Sequence, residues 1–312
     1  MVSDEFKDEN AIKDGEILFI YEAKMDNPNG DPDNENIPRM DYNTGTNLVS
    51  DVRLKRYIRD YFSDNIKGDK NNIFVRREGK VQSSTERAKD FHTNPEEIIE
   101  KCADIRMFGA TIALKPESEK EGSEPKGKGN SIKLTGPVQF TWAYSLNQVE
   151  LLNSYSITTT FASVSGNQQG SMGKDYRVYY SLLAFYGVIN SKRALESHLT
   201  KEDIRNLDTA MIKSLQSQAT RTKIGQSPLL YIRTEYDRPK FIGDLREFVS
   251  LNQSSSSIRS SGDYSLDLQE LVSEIRKNDK CSLANIWLNK HLNIGDKGFL
   301  REKPFNLIDE NE

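Results

Sequence analysis

Cysteine and histidine are the scarcest chemistry-bearing residues in this 312-residue chain, with two and three copies. Cys102 and Cys281 stand far apart and form no CxxC, which argues against a disulfide framework and a thiolate zinc site and fits a reducing compartment. His92, His198 and His291 are scattered, which weakens any histidine-ligated metal reading. No apolar run approaches the length of about 20 residues that a membrane-spanning helix needs. The opening "MVSDEFKDENAIKDG" is too acidic and polar for a signal peptide, so a soluble, cytoplasmic protein with no membrane partner is expected. Excess positive charge is lacking too: 43 Lys and Arg against 47 Asp and Glu leave a net charge of -4. The sum does not announce a nucleic-acid binder, but phosphate contacts need only a local basic stripe.

What is present is a chain long enough for a real core but polar for its size. Its hydrophobic content is 36%, its charged content 29% and its mean hydropathy -0.69. Extended loops or a large partner-facing surface follow from that balance.

Several segments have a clear period. "EILFIYEA" (16–23) reads as a strand buried on both faces, and "SDVRLKRYIRDYF" (50–62) as a helix with Ser50 as N-cap and Leu54, Tyr57, Ile58, Tyr61 and Phe62 on its apolar face. "NIFVRREGKVQ" suggests a hairpin turning at Glu78-Gly79, and "NPEEIIEKCADI" a helix with proline in its first turn. The Lys-, Glu- and Gly-rich stretch 115–131 reads as a flexible loop. "PVQFTWAYS" alternates, with Val138, Phe140, Trp142 and Tyr144 facing one way; "YSITTTFA" alternates too, ahead of a Gly- and Ser-rich tip. "RVYYSLLAFYGVI" (177–189) and "PLLYIRTEY" (228–236) are strands, and 200–218 between them is a helix capped by Thr200, with Ile204, Leu207, Met211 and Leu215 facing the core. "NQSSSSIRSSG" (252–262) reads as a linker. Without insertions the order is strand, helix, strand, strand, helix, strand. That is an α+β, ferredoxin-like (RRM-like) pattern, whose sheet face is a common platform for single-stranded RNA.

The stretch "YEAKMDNPNGDPDNENIPRM" (21–40) concentrates Asp26, Asp31, Asp33 and Glu35 among Asn27, Asn29, Asn34 and Asn36. As an EF-hand it fails, because alignment on Gly30 puts Met25 and Asn36 where carboxylates belong. Asp31 and Asp33 could share magnesium with a scissile phosphate, so a magnesium-dependent ribonuclease built on 26–33 is the rival reading. A self-hydrogen-bonded connection has the same composition. In the helix that follows, Lys55, Arg56 and Arg59 group opposite the apolar stripe, with Arg53 to one side near Asp60. Such a face suits nucleic-acid phosphates and also suits plain solvation.

"NPNGDPD", "VSDVRLKRYIRDY", "DIRMFGA" (104–110), "LTGPVQF" (134–140), "MGKDYRVYY" (172–180) and "TKIGQSPLLYIRTEY" (222–236) together resemble the CRISPR-associated backbone subunit of type I Cascade complexes, in its subtype I-B form. That subunit is a member of the RAMP superfamily of ferredoxin-like RNA binders. The resemblance spans most of residues 16–237; the tail after about 240 carries no comparable motif.

The resemblance implies a non-catalytic subunit, with no cofactor, metal or catalytic residue, that polymerises head to tail along a CRISPR guide RNA. It implies a palm, a finger-like insertion (63–131, with the loop 115–131 a candidate contact to target DNA) and a thumb hairpin (142–176); the remaining 238–312 is expected to be a C-terminal extension closing on the palm. Base pairing would read the target DNA strand while protein reads backbone and shape. Further partners would be other Cascade subunits and a recruited nuclease-helicase. Carried over position by position, the RNA-binding residues are Lys55, Arg56 and Arg59, with Arg53 beside them, Asn27 and Asn29 in the loop, and Met172, Gly173 and Lys174 at the thumb base. Arg221 and Lys223 stand before the last core strand. Charge reversal at Lys55 and Arg59 together is expected to abolish assembly on guide RNA without unfolding the subunit.

Overall fold

Strand β1, Gly15–Asp26, is apolar on both faces because it lies between two other long strands with a layer packed on each side. In the computed structural model, which describes residues 11–76, 82–113, 131–153, 156–158, 172–253 and 257–308, β1 pairs antiparallel with β2 (Val178–Ile189) and β3 (Gln226–Tyr236). β4 (Cys281–Leu288) extends the sheet beyond β3, and Phe305–Leu307 joins β4 in parallel. On the other side, β2 carries Val138–Phe140 and Ala143–Ser145, and the short strands Thr46–Val49 and Met40–Asp41 complete a nine-stranded mixed sheet.

Each face of β1 feeds a separate core. Ile17, Phe19, Tyr21 and Ala23 pack under helix α1 (Asp51–Asn65) and helix α2 (Lys201–Ser217), against Leu54, Ile58, Phe62, Leu207, Met211 and Leu215. Leu18 and Ile20 point the other way, onto Leu266, Leu271, Ile275 and Ile286 of the C-terminal segment. A strand covered on both sides loses the period-two polar alternation, which is why its sequence is a continuous apolar run. The fully buried Glu16 fastens the C-terminal segment to the sheet: its carboxylate accepts from Tyr186 Oη (2.6 Å), from Tyr236 Oη, and from the N–H groups of Ile242 and Gly243 (2.8 and 2.9 Å).

Helix α2 begins as its sequence demands. Thr200 and Asp203 form a reciprocal capping box, and Ile204, Leu207, Met211 and Leu215 are buried. At α1, Ser50 precedes the helix, but its hydroxyl caps nothing. It donates instead to Asn29 Oδ1 at 3.0 Å, and its N–H donates to the same atom at 2.9 Å.

Three expectations need correction. "PVQFTWAYS" is two short strands rather than one: Phe140 pairs with Gly187 and Tyr144 with Ala184, so four residues advance on one strand for three on the other. That extra residue inverts the alternation. Ala143 and Ser145 become buried, and Trp142 turns outward at 48% exposure. "NPEEIIEKCADI" gives two helices, Pro95–Lys101 and Ala103–Phe108, broken where Cys102 adopts an extended backbone. The tract 252–262 is no linker between units: Ser250–Gln253 pairs with Tyr264–Asp267, and Ile258 is buried in the C-terminal core. The turn expected at Glu78-Gly79, most of the loop 115–131 and the tip of the hairpin 142–176 lie outside the described residues.

The Ala103–Phe108 helix is anchored by a buried ion pair. Arg106 donates to Asp203 at 3.0 and 2.7 Å, and also to the carbonyls of Lys70 and Ile99 at 2.7 and 3.3 Å. Both side chains are almost fully buried. Replacing Arg106 by alanine would leave the Asp203 charge unpaired in the interior, at a cost of about 3–5 kcal/mol. Urea denaturation of Arg106→Ala should show a loss of that size.

Candidate nucleic-acid interface

The acidic loop folds by satisfying itself. Asp26, the last residue of β1, is 1% exposed. One of its oxygens accepts from the N–H of Asn27 at 2.7 Å and the other from the N–H of Gly225 at 3.0 Å. Burial pushes the Asp26 carboxyl above its ordinary range, against the pull of the Asn27 N–H and the Lys223 charge. Asn27 Nδ2 donates to the carbonyl of Asn36 at 2.7 Å, and the carbonyl of Asp31 accepts from the N–H groups of Asn34 and Asn36. Asp31 pairs with Arg39 at 3.2 Å. Asp41 accepts from the Asn43 N–H and the Thr44 hydroxyl. Asn29 ties the loop to α1 through Ser50. Among the described residues, no group of three or more His, Cys, Asp or Glu side chains could hold a metal ion.

Arg53, Lys223, Arg177, Lys174 and Arg221 gather around this loop from three distant segments. The Arg53 guanidinium lies 4.1 Å from the Tyr57 ring centroid, and Tyr57 Oη donates to Gln226 Oε1 at 2.9 Å. Arg53 Nε is buried with no hydrogen-bond partner among the described residues. Lys223 Nζ donates to the carbonyl of Asn27. Burial first, then repulsion from Arg53, pulls the Lys223 ammonium down to about 8. Arg177 donates to the carbonyls of Met25 and Arg221 at 2.8 and 3.2 Å, and shares Asp175 with Arg221. Lys174, at the end of the short strand Met172–Lys174, reaches across to Glu35 at 2.6 Å.

Lys55, Arg56 and Arg59 are arranged differently from the open basic face expected of them. Lys55 is buried, bonded to Asp51 and Gln139 at 3.0 and 3.2 Å, with its ammonium 5.6 Å from the Phe108 ring centroid. Arg56 grips Asp60 at 2.8 and 2.6 Å and the carbonyl of Val75 at 3.2 Å. Arg59 pairs with the fully buried Asp104 at 2.9 Å. These three cations hold α1 to Gln139 and to the segments around Val75 and Asp104. Charge reversal at Lys55 and Arg59 therefore breaks internal pairs, contrary to the expectation that it would spare the fold.

The structure thus brings Asn27, Arg53, Lys174, Arg221 and Lys223 to one end of the sheet, while Asn29 bonds Ser50 at the start of α1. Met172 and Gly173 share a two-strand ladder with Ile157 and Thr158. Sequence reasoning missed Arg177, Tyr176 and Arg39, because nothing in their local pattern announces a partner. Arg39 lies 5.7 Å from the ring centroid of the outward-turned Trp142.

Known proteins are similar to this chain over most of its length. The family described as CRISPR-associated protein Cas7 matches residues 13–269. A curated CRISPR-associated protein Cas7 from Haloferax volcanii is 34% identical over 289 residues, covering 86% of this chain and 84% of that protein. Among solved structures, a chain of a CRISPR RNA-guided surveillance complex aligns with a TM-score of 0.47 at 15% identity, over 91% of this chain and 95% of that one. A chain of a surveillance complex in a pre-nicking state aligns with a TM-score of 0.49 at 13% identity, over 91% and 96%. On the family match and the identity to a curated relative, the chain belongs to the CRISPR-associated protein Cas7 family.

Proposed function

We propose that this protein is a non-catalytic backbone subunit of a type I Cascade effector complex, of subtype I-B character, acting in antiviral defence. Copies of it associate head to tail along one guide RNA, bind the phosphate backbone, and present the bases for pairing with a target DNA strand. Other Cascade subunits and a recruited nuclease-helicase complete the machinery. In this reading the sheet order β3, β1, β2 and the strands at 138–145, all antiparallel, is the ferredoxin-like palm. Residues 63–131 are the finger-like insertion, 142–176 the thumb and 238–312 the extension closing on the palm.

The observation that carries the reading is the convergence of Arg53, Lys223, Lys174 and Arg221 beside Asn27 in a chain of this family. Phosphate oxygens are the ligand that such a cluster suits. Asn29, Met172 and Gly173 shape its surroundings, while Lys55, Arg56 and Arg59 fix α1 so that Arg53 is presented correctly. The rival ribonuclease is disfavoured because Asp31, one of the two carboxylates it needs, is already paired with Arg39.

A nuclease footprint on a long single-stranded guide RNA, with and without magnesium, tests the proposal. A regular ladder of protected and exposed nucleotides, unchanged by magnesium, is expected. Magnesium-dependent shortening of the RNA before nuclease is added would make the acidic loop an active site instead. Arg53→Gln with Lys223→Gln should erase the ladder without lowering the melting temperature. Lys55→Glu with Arg59→Glu should lower the melting temperature first.

Affinity should also depend on pH. A phosphate beside Lys223 raises the pKa of an ammonium that sits at about 8 in the free protein, so binding takes up a proton. RNA affinity should fall as pH climbs from 7 to about 9, and Lys223→Gln should flatten that profile. The sign for stability is opposite. The unfolded chain binds the proton more tightly, with an ordinary value of 10.5, so this group's contribution to stability rises between about 8 and 10.5.

A further inference from the structure

Two donors converge on a single carboxylate oxygen beside the cationic cluster. Lys174 Nζ lies 2.6 Å from Glu35 Oε2, and Tyr176 Oη lies 2.8 Å from the same atom. The donors come from one short stretch of chain, whereas the acceptor comes from the loop after β1. Glu35 is held there by an unusual backbone: its φ is 47° and that of Asn36 is 60°, both in the left-handed region that side chains other than Asn, Asp and Gly seldom adopt. Asn36 is pinned on both sides, its carbonyl by Asn27 Nδ2 and its N–H by the carbonyl of Asp31. Glu35 is therefore delivered to Lys174 and Tyr176 by the construction of the loop.

An ammonium and a phenol sharing one anionic oxygen is also how a non-bridging phosphate oxygen would be held. Asp175, between them in sequence, faces elsewhere, onto Arg177 and Arg221. We infer that Lys174 and Tyr176 form a two-donor seat for one phosphate oxygen of single-stranded RNA, and that Glu35 fills this seat until RNA displaces it. Tyr176 then joins the RNA-binding residues, and Glu35 becomes an internal competitor. The inference rests on the reading that the protein binds guide RNA. Its consequence is selectivity: each phosphate taken at this seat must replace an existing ion pair, so short or weakly held RNA gains little. The Lys174 ammonium and the Tyr176 hydroxyl hold the Glu35 carboxyl below its ordinary range, so the competitor remains charged at neutral pH.

Fluorescence anisotropy with a single-stranded RNA oligonucleotide tests this. Glu35→Gln should bind about three- to five-fold more tightly than wild type, the range set by an exposed ion pair. Asp33→Asn removes the same charge from the same exposed loop without touching either donor, and should change affinity by less than about two-fold. In a Lys174→Gln, Tyr176→Phe background the gain from Glu35→Gln should vanish, because no seat remains to be cleared. The seat is overturned if Glu35→Gln matches wild type, if Asp33→Asn gives an equal gain, or if the gain survives in that background. Wild-type binding with no gain in Glu35→Gln would overturn the seat and leave the guide-RNA reading standing. Binding by Glu35→Gln alone would support the seat, and binding by neither would overturn both.

Discussion

The carboxylate of Asp26 is the joint on which this end of the molecule depends. It closes β1 by accepting from the backbone of Asn27 on one side and of Gly225 on the other. The turn before β3 is thereby drawn against the loop after β1, although the two are remote in sequence. The approach is close enough to require glycine: a Cβ at Gly225 would lie 2.1 Å from the carbonyl oxygen of Lys24. Once the turn is seated, Lys223 falls on the carbonyl of Asn27, and Arg177 reaches the carbonyls of Met25 and Arg221. The cationic cluster is a consequence of that joint.

The charged residues divide into two kinds of work. Lys55, Arg56, Arg59 and Arg106 neutralise carboxylates inside the fold and hold helices in place. Arg53, Lys174, Arg221 and Lys223 sit where burial is incomplete, and Arg53 crowds Lys223. Burial first, and the nearby Arg53 charge second, lower the pKa of Lys223. Interior ion pairs relieve desolvation, whereas a crowded cationic rim is stabilised chiefly by an anionic ligand. The same rim already contains internal anions, Glu35 beside Lys174 and Asp175 beside Arg221, so the free protein carries part of its own counter-charge.

The C-terminal segment is part of this economy of support. β4 lies beyond the residues matched by the family, yet it pairs with β3 along most of its length and its neighbours cover the second face of β1. Glu16 binds that segment through two tyrosines and two backbone N–H groups. The rigidity of β1, and so the position of Asp26, is maintained from both faces.

The long elements were legible from the chain alone, because hydrophobic period is a local property. Gly15–Asp26, Asp51–Asn65, Lys201–Ser217 and Gln226–Tyr236 follow directly from it, and so does the Thr200 cap. The loop after β1 could be recognised as a shaped connection from its Asn, Asp, Pro and Gly content. What the chain could not disclose were features set by a distant partner. The phase of Trp142 turns on one extra residue against β2, which no alternation within 137–145 reveals. A helical wheel groups Lys55, Arg56 and Arg59 correctly but knows only its own helix, so it cannot see Gln139, Val75 or Asp104 waiting opposite. Arg53 and Lys223 are neighbours because Asp26 closes the turn before β3 against the loop after β1. Periodicity determined the elements; long-range pairing decided which charges are satisfied inside and which lie at the surface.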